Sequence, residues 1–355
     1  MHLSEAQRHF ATVRMKLSIV QKKILQTALL QANRSVAELS RMLHLRDHTV
    51  RRAISSFFEK EIFIRRSIYV DPHMLGLTMH VALLSLSSEA LKARDAFVQL
   101  LCSCDEVGAV VELGTGEEFE VRIFTLNRDH LTFFFDSLAT RFPQAFHIRS
   151  CSMAFESEYF GRVANLPPTS TRRALRFEPL SPDVNVHELD DKDHAVLSTL
   201  ANYQYLNLQE VAKALSMPAS SLQYRVSRLE ASKVIKGHFY IIDPKAFGEM
   251  PFALRIKARV FTPTMRKTLS AFCSDHPLIT WITFFIGEQV AEVYMLAPNF
   301  GGTQSVLNDL TVRFGDILES VQVRPQLSFH KFTTYPYKTF PTNKTFARAL
   351  TFKSK

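Results

Sequence analysis

Residues 189–248 read LDDKDHAVLSTLANYQYLNLQEVAKALSMPASSLQYRVSRLEASKVIKGHFYIIDPKAFG. Val196, Leu197, Leu200, Val211, Leu215, Leu222, Val226 and Leu229 recur at helical spacing, the signature of apolar stripes on short helices. The spacing predicts three helices, at about 190–202, 208–215 and 219–232. Pro218 suits the first turn of the third, where a missing N–H costs nothing, and small Ala212 lets a neighbouring helix approach. Val234-Ile235 and Phe239 to Ile242, separated by Gly237, read as a two-stranded wing. Three helices and a wing make a winged helix-turn-helix pattern.

Sliding the chain by 172 residues sets Leu17 on Leu189, Leu25 on Leu197, Glu38 on Glu210 and Leu43 on Leu215. Asp71-Pro72 then meets Asp243-Pro244, Gly76 meets Gly248, Glu120-Val121 meets Glu292-Val293, and Arg141-Phe142 meets Arg313-Phe314. One register kept without a gap from 17 to about 149 implies a tandem duplication. The first copy accordingly repeats the helices at 19–30, 36–43 and 47–60 and the wing at 62–64 and 68–70. Beyond each glycine the pattern changes to strand, helix, strand, strand, helix, strand. These fall at 80–86, 91–102, 107–112, 118–124, 131–142 and 146–155, then at 252–260, 265–273, 280–285, 291–296, 303–314 and 322–329. That order is ferredoxin-like.

The expected fold class is therefore α+β, two winged helix-turn-helix domains alternating with two ferredoxin-like (βαββαβ) effector domains. An N-terminal extension covers 1–16, the first winged domain 17–76 and the first effector domain 77–160. A proline-bearing linker at 161–188 leads to the second winged domain at 189–248, the second effector domain at 249–333 and a basic tail at 334–355. Helices cover one face of each effector sheet. The other face reads as apolar and calls for the equivalent sheet of the other copy.

The 355 residues carry 43 Lys and Arg against 34 Asp and Glu, a net charge of +9, and 46% are hydrophobic. Wholesale disorder is excluded. No apolar run approaches a membrane span, and 1–16 lacks the apolar core of a signal peptide. Four scattered cysteines make no disulfide framework, and Cys102-x-Cys104 without a second pair reads as helix packing, not zinc binding. These features imply a soluble, reduced, cytoplasmic protein without membrane contact. The charge is uneven. Ten basic and five acidic residues fall in 17–76, seven and six in 189–248, and no acidic residue follows Glu319.

The second copy resembles the leucine-responsive regulator/AsnC (Lrp/AsnC) family of transcription regulators. The resemblance runs through Leu189-Asp190-x-x-Asp193, Val196-Leu197-x-x-Leu200, Glu210-Val211-Ala212, Ser220-Ser221-Leu222-x-x-Arg225-Val226-x-Arg228-Leu229-Glu230, Val234-Ile235-x-Gly237 and Asp243-Pro244-x-x-x-Gly248. The first copy keeps less of it: Glu38-Leu39, Arg51-Arg52, Asp71-Pro72 and Gly76. The resemblance implies double-stranded DNA as partner, a fused pseudo-dimer, a further homodimer through the effector domains, and modulation by an amino acid or other small molecule. Recognition helices read bases near their N-termini. The candidates are Arg46, His48, Thr49, Arg51 and Arg52 in copy one and Ser220, Ser221, Gln223, Tyr224 and Arg225 in copy two, with Arg228 expected on phosphate. The bland alternative is that all are solvated helix faces. Copy one has Ala53 where copy two has Arg225, so the two copies are not expected to use DNA equally, and an asymmetric site follows.

In the family a glycine turn between the second and third effector strands lines the effector site. The corresponding residues here are Gly116 and Glu120, and Gly287 and Glu292, with longer spacing and Glu in place of Asp. Either glutamate could take an amino group or be an exposed strand residue. The same layout occurs in sirohaem decarboxylases, enzymes acting on a tetrapyrrole, with His, Tyr and Arg on the strands around the substrate. Here the stretches 109–112 and 280–285 carry neither His nor Arg, and no catalytic triad or metal-ligand spacing stands out. The sequence thus reads as a DNA-binding regulator without a cofactor and not as an enzyme. The decarboxylase is the first alternative, and a sensor without DNA binding the second.

Overall fold

The computed structural model describes residues 17–88, 90–114, 118–143, 145–163, 174–179, 186–202, 208–337 and 340. The first half begins with helices α1 (Ile19–Leu29), α2 (Val36–Leu43) and α3 (Asp47–Glu59) and strand β1 (Phe63–Val70). It continues through β2 (Thr78–Leu86), α4 (Arg94–Ser103), β3 (Val107–Leu113), β4 (Glu118–Thr125), α5 (Arg128–Arg141) and β5 (Phe146–Tyr159). After a short β6 (Leu175–Phe177), the second half runs α6 (Asp191–Ala201), α7 (Leu208–Ala214), α8 (Ala219–Ala231) and β7 (Ile235–Ile242). Then come β8 (Met250–Ala258), α9 (Pro263–Asp275), β9 (Ile279–Ile286), β10 (Ala291–Ala297), α10 (Thr303–Phe314) and β11 (Leu318–Phe332).

Local chemistry sets the helix starts. Ser18 with Gln21, Ser35 with Glu38, and Asp190 with Asp193 form capping boxes that satisfy the first free N–H groups of α1, α2 and α6. The non-glycine residues in left-handed backbone also recur 172 apart. His44 and Ser216 sit in the turns before α3 and α8, and Glu61 and Lys233 before β1 and β7. The fold is the expected mixture of winged helix-turn-helix and ferredoxin-like modules.

The wings differ from expectation. β1 and β7 are single strands, and they pair antiparallel with each other, from Phe63 opposite Ile242 to Val70 opposite Ile235. Between Ile64 and Ile68 stand Arg65, Arg66 and Ser67, with no glycine, proline or asparagine to turn the chain. Gly237 is not a turn either. A side chain there would collide with Leu175 of β6, the close approach for which strands admit glycine. Each helical module packs on this ribbon across the halves. Tyr240 and Phe247 join the core of α1–α3, whereas Ile68, Tyr69 and Val70 join that of α6–α8.

The effector strands also join across the halves. Each half-sheet has the ferredoxin order, β5-β2-β4-β3 and β11-β8-β10-β9. β3 then pairs with β11 and β9 with β5, closing one ring among the described residues. The long strands β5 and β11 begin in their own half-sheet and finish along the edge of the other. The inner faces meet as expected but are only partly apolar. Helices cover the outer faces, and the inner face carries Leu83, Ala109, Val111 and Leu113 beside Glu120, Arg122, Arg255, Glu292 and Tyr294, all buried, with Gln289 in the adjoining turn. The linker and tail are corrected too. Val163, Leu175 and Phe177 are buried, with β6 hydrogen-bonded along β5. Tyr335 and Tyr337 are each 1% exposed, and the Tyr335 hydroxyl and His194 Nδ1 share a hydrogen bond of 2.6 Å. Residues 341–355 lie outside the described set.

Phe63 stacks on Tyr240 at 4.0 Å between ring centroids, tying the two halves at the ribbon. Tyr240→Ala should cost about 3 kcal/mol. It should lower amide-exchange protection in α1–α3, the module of the other half. Loss confined to α6–α8 would refute the crossed packing.

Candidate nucleic-acid interface

α3 buries Val50, Ala53 and Phe57 and turns the opposite face outward. Arg46, at its N-cap, His48, Arg51 and Arg52 are exposed, and Thr49 is half-buried. The structure thus gathers the copy-one candidates on one basic helix start. α8 buries Leu222, Val226 and Leu229 and exposes Ser220, Ser221, Gln223 and Tyr224, the last 68% exposed. This second surface has hydrogen-bonding groups and a ring but no free cation among its first residues.

Arg225 is not available for bases as expected. Its guanidinium donates to Asp190 at 2.8 and 2.9 Å and to Asp193 at 2.6 Å, and its side chain is 19% exposed. Arg228 donates to the other oxygen of Asp193, which is fully buried, while its own side chain stays 46% exposed at the surface. These pairs clip α8 to the start of α6. Copy one has Ser18, Gln21, Ala53 and Ser56 at the four matching positions, so the clip is replaced there as a set. The absence of an arginine at Ala53 therefore reflects how the helices are joined and says nothing against DNA contact by copy one. Arg225→Ala should remove about 1–3 kcal/mol of stability by leaving Asp193 short of a donor. A lowered melting temperature with unaltered base preference is expected. Altered preference at full stability would return Arg225 to the reading surface.

The candidate effector glutamates are buried strand residues, whereas Gly287 stands in the exposed turn between β9 and β10. Gly116 lies outside the described residues. Gly287 is exposed, with φ +153 and Ser152 where a side chain would go. Glu120 and Glu292 point into the ring and are 3% and 1% exposed. Tyr294 Oη donates to Glu120 Oε1 at 3.1 Å, and Arg122 donates to the same oxygen at 3.4 Å. Across the strand pair from Glu292, Arg255 approaches it at 3.7 Å and donates to Gln289 at 3.0 Å. The second oxygens of both glutamates are buried without a hydrogen-bond partner. Three rings, of Trp281, Tyr294 and Phe332, surround the Arg122 guanidinium at 4.9–5.8 Å. The arginines stand outside 109–112 and 280–285, on β4 and β8. The alternation Glu120-x-Arg122 on an apolar strand was the available signal.

Burial, with the Glu120 charge nearby, pushes the Glu292 carboxyl up to about 7. The folded chain keeps this proton to about pH 7, while the unfolded chain gives it up near the ordinary 4.5. Stability should therefore fall as pH rises between those values, by on the order of 3 kcal/mol. Melting curves of Glu292→Gln should be flatter than those of the parent from pH 5 to 8. Parallel curves would contradict this assignment.

Comparison with known proteins bears on the second helical module. Residues 189–236 match a family model described as winged helix-turn-helix DNA-binding. An HTH-type transcriptional regulator of Pyrococcus horikoshii is 31% identical over 61 residues, 17% of this chain and 39% of that protein. A second, from Pyrococcus abyssi, is 30% identical over 66 residues, 19% of this chain and 43% of its own. The chain thus spans about two fifths of the curated relatives it matches. The crystal structure of a sirohaem decarboxylase superposes with a TM-score of 0.57 at 12% identity, over 93% of this chain and 99% of that one. The overall architecture is therefore one already seen in a whole protein. The chain carries a winged helix-turn-helix DNA-binding domain of the kind found in HTH-type transcriptional regulators.

Proposed function

We propose that this protein is a sequence-specific DNA-binding transcription regulator of the Lrp/AsnC type, built as a covalent pseudo-dimer. The observation that carries this reading is the pair of solvent-facing recognition helices, α3 and α8, on modules tied by one ribbon, together with the match over 189–236. Because each module rests on the other half's strand, their relative placement is set by the fold. Two half-sites would be engaged at a fixed spacing. The exposed groups differ: arginine-rich at α3, suited to guanine edges and phosphate, and Ser, Gln and Tyr at α8, with Gln223 suited to adenine. The operator should accordingly have two unlike halves.

Modulation by an amino acid or other small molecule is part of the proposal, working by shifting the relative placement of the helical modules. Further homodimerisation would use the helical outer faces, since β3 pairs with β11 and β5 with β9 inside one chain. A second reading is an enzyme acting on a tetrapyrrole. The whole-length superposition on a sirohaem decarboxylase, also solved with an iron-uroporphyrin III analogue, favours it. So do Arg122 and Arg255 inside the ring.

Gel shifts with genomic fragments at controlled salt test the regulator reading. Replacing Arg51 and Arg52 together by Ala should weaken specific binding more than tenfold and lower the salt dependence. Gln223→Ala should cost about 1–3 kcal/mol at one half-site only. No sequence preference at moderate salt would overturn the regulator reading and leave the enzymatic one.

A further inference from the structure

A cavity of about 540 Å³ opens between the β1–β7 ribbon and the second half of the ring. Its walls include Phe239, Trp281, Tyr294 and Phe332, and the polar groups Arg122 and Gln326 reach it. None of Glu120, Gly287 or Glu292 lines it. Two of its polar residues are deeply buried, Arg122 at 7% and Gln326 at 4% exposure. Gln326 Nε2 is a buried donor without a hydrogen-bond partner. Arg122 holds Glu120 only through long contacts of 3.4 Å, beyond the usual range for a charge-assisted pair. A buried donor left unmade is costly, and a cation between aromatic walls invites an anion with a flat apolar body.

The matching place in the other half is filled. Thr280 and Leu296 line the cavity, and the residues 172 before them are Gly108 and Phe124. There the segment after β11 closes over the sheet. Thr333 N donates to Gly108 O at 2.7 Å, and the buried Tyr337 donates to Phe124 O. The Phe124 ring itself fills the space beside Gly108. On the open side, the segment after β5 makes the counterpart of the first contact, Phe160 N donating to Thr280 O. It then turns toward α9, where Arg162 donates to backbone carbonyls including Cys273 O at 3.3 Å. Among the described residues, one side of the ring is plugged and the other left open.

We propose that this cavity is a binding site, one per chain, for a small aromatic carboxylate whose ring lies among Trp281, Phe239 and Phe332 and whose carboxylate meets Arg122 and Gln326. Such a ligand would touch both the ribbon that carries the helical modules and the ring beneath it, the place from which their relative placement can be altered. The binding claim stands without the DNA reading, because it is measured without DNA.

Trp281 is the only tryptophan of the chain, so its emission reports on this wall alone. The full chain is titrated with 3-phenylpropionate, and with 3-phenylpropanol as the partner lacking a carboxylate. A saturable change in Trp281 emission is expected with the acid, and about tenfold weaker binding with the alcohol. Gln326→Leu, which keeps the volume and removes the unpaired donor, should weaken the acid about fivefold or more, and Arg122→Gln about tenfold or more. Should Arg122→Gln fail to fold, Ser328→Phe, placed on the half-buried wall, should abolish the response by filling the cavity. No saturable change, equal binding of acid and alcohol, or undiminished affinity in folded Gln326→Leu and Ser328→Phe would each overturn the proposal.

Discussion

Everything in this molecule follows from the need to satisfy strand edges. A four-stranded ferredoxin-like sheet ends in two rows of unpaired N–H and C=O groups, which are costly when buried and adhesive when exposed. Here β5 and β11 run long enough to leave their own half-sheet and pair along the other's free edge. The ribbon of β1 and β7 meets the same requirement one level up, since neither strand has a local hairpin partner. The consequence is mechanical. The two helical modules are coupled through the ribbon, because each is seated on a strand that the other half supplies.

Closure has an electrostatic consequence. Facing the inner surfaces of two sheets toward each other buries Glu120, Arg122, Arg255 and Glu292 together. Buried charges are tolerated only when paired or neutralised. Both happen here, since each arginine has a carboxylate nearby and the Glu292 carboxyl holds its proton more strongly than usual. The halves that enclose this network are alike in path and unlike in chemistry. One helical module is joined by an ionic clip through Arg225, the other by neutral residues. The start of α3 exposes Arg46, Arg51 and Arg52, and that of α8 exposes Ser, Gln and Tyr. One flank of the ring is sealed by Tyr335 and Tyr337, the other open. On the proposed reading, an operator for this molecule has two unlike halves.

Much of this was legible in the sequence, for a definable reason. Helices and strands buried on one face announce themselves by period, so α6 to α8 and the ferredoxin order could be read from Val196 to Leu229 and from the strands that follow. Partners that lie far along the chain leave no such trace. Phe63 to Val70 has the composition of a strand, but nothing near it says that Ile235 to Ile242 is its neighbour. Single side chains were the hardest. Arg225 stands where a recognition helix would carry a reading residue, and only the fold shows Asp190 and Asp193 beside it. Tyr335 and Tyr337 sit in a segment rich in prolines and basic residues, and their burial depends on a surface built by β1 and β4.

The central claim, two unlike recognition helices held at a fixed separation, is tested most directly by footprinting the full chain on a DNA fragment selected for binding. The account predicts protection of two half-sites of different sequence at one constant spacing, with the protein in a single orientation. Protection of a symmetric palindrome, or of one half-site only, would contradict it.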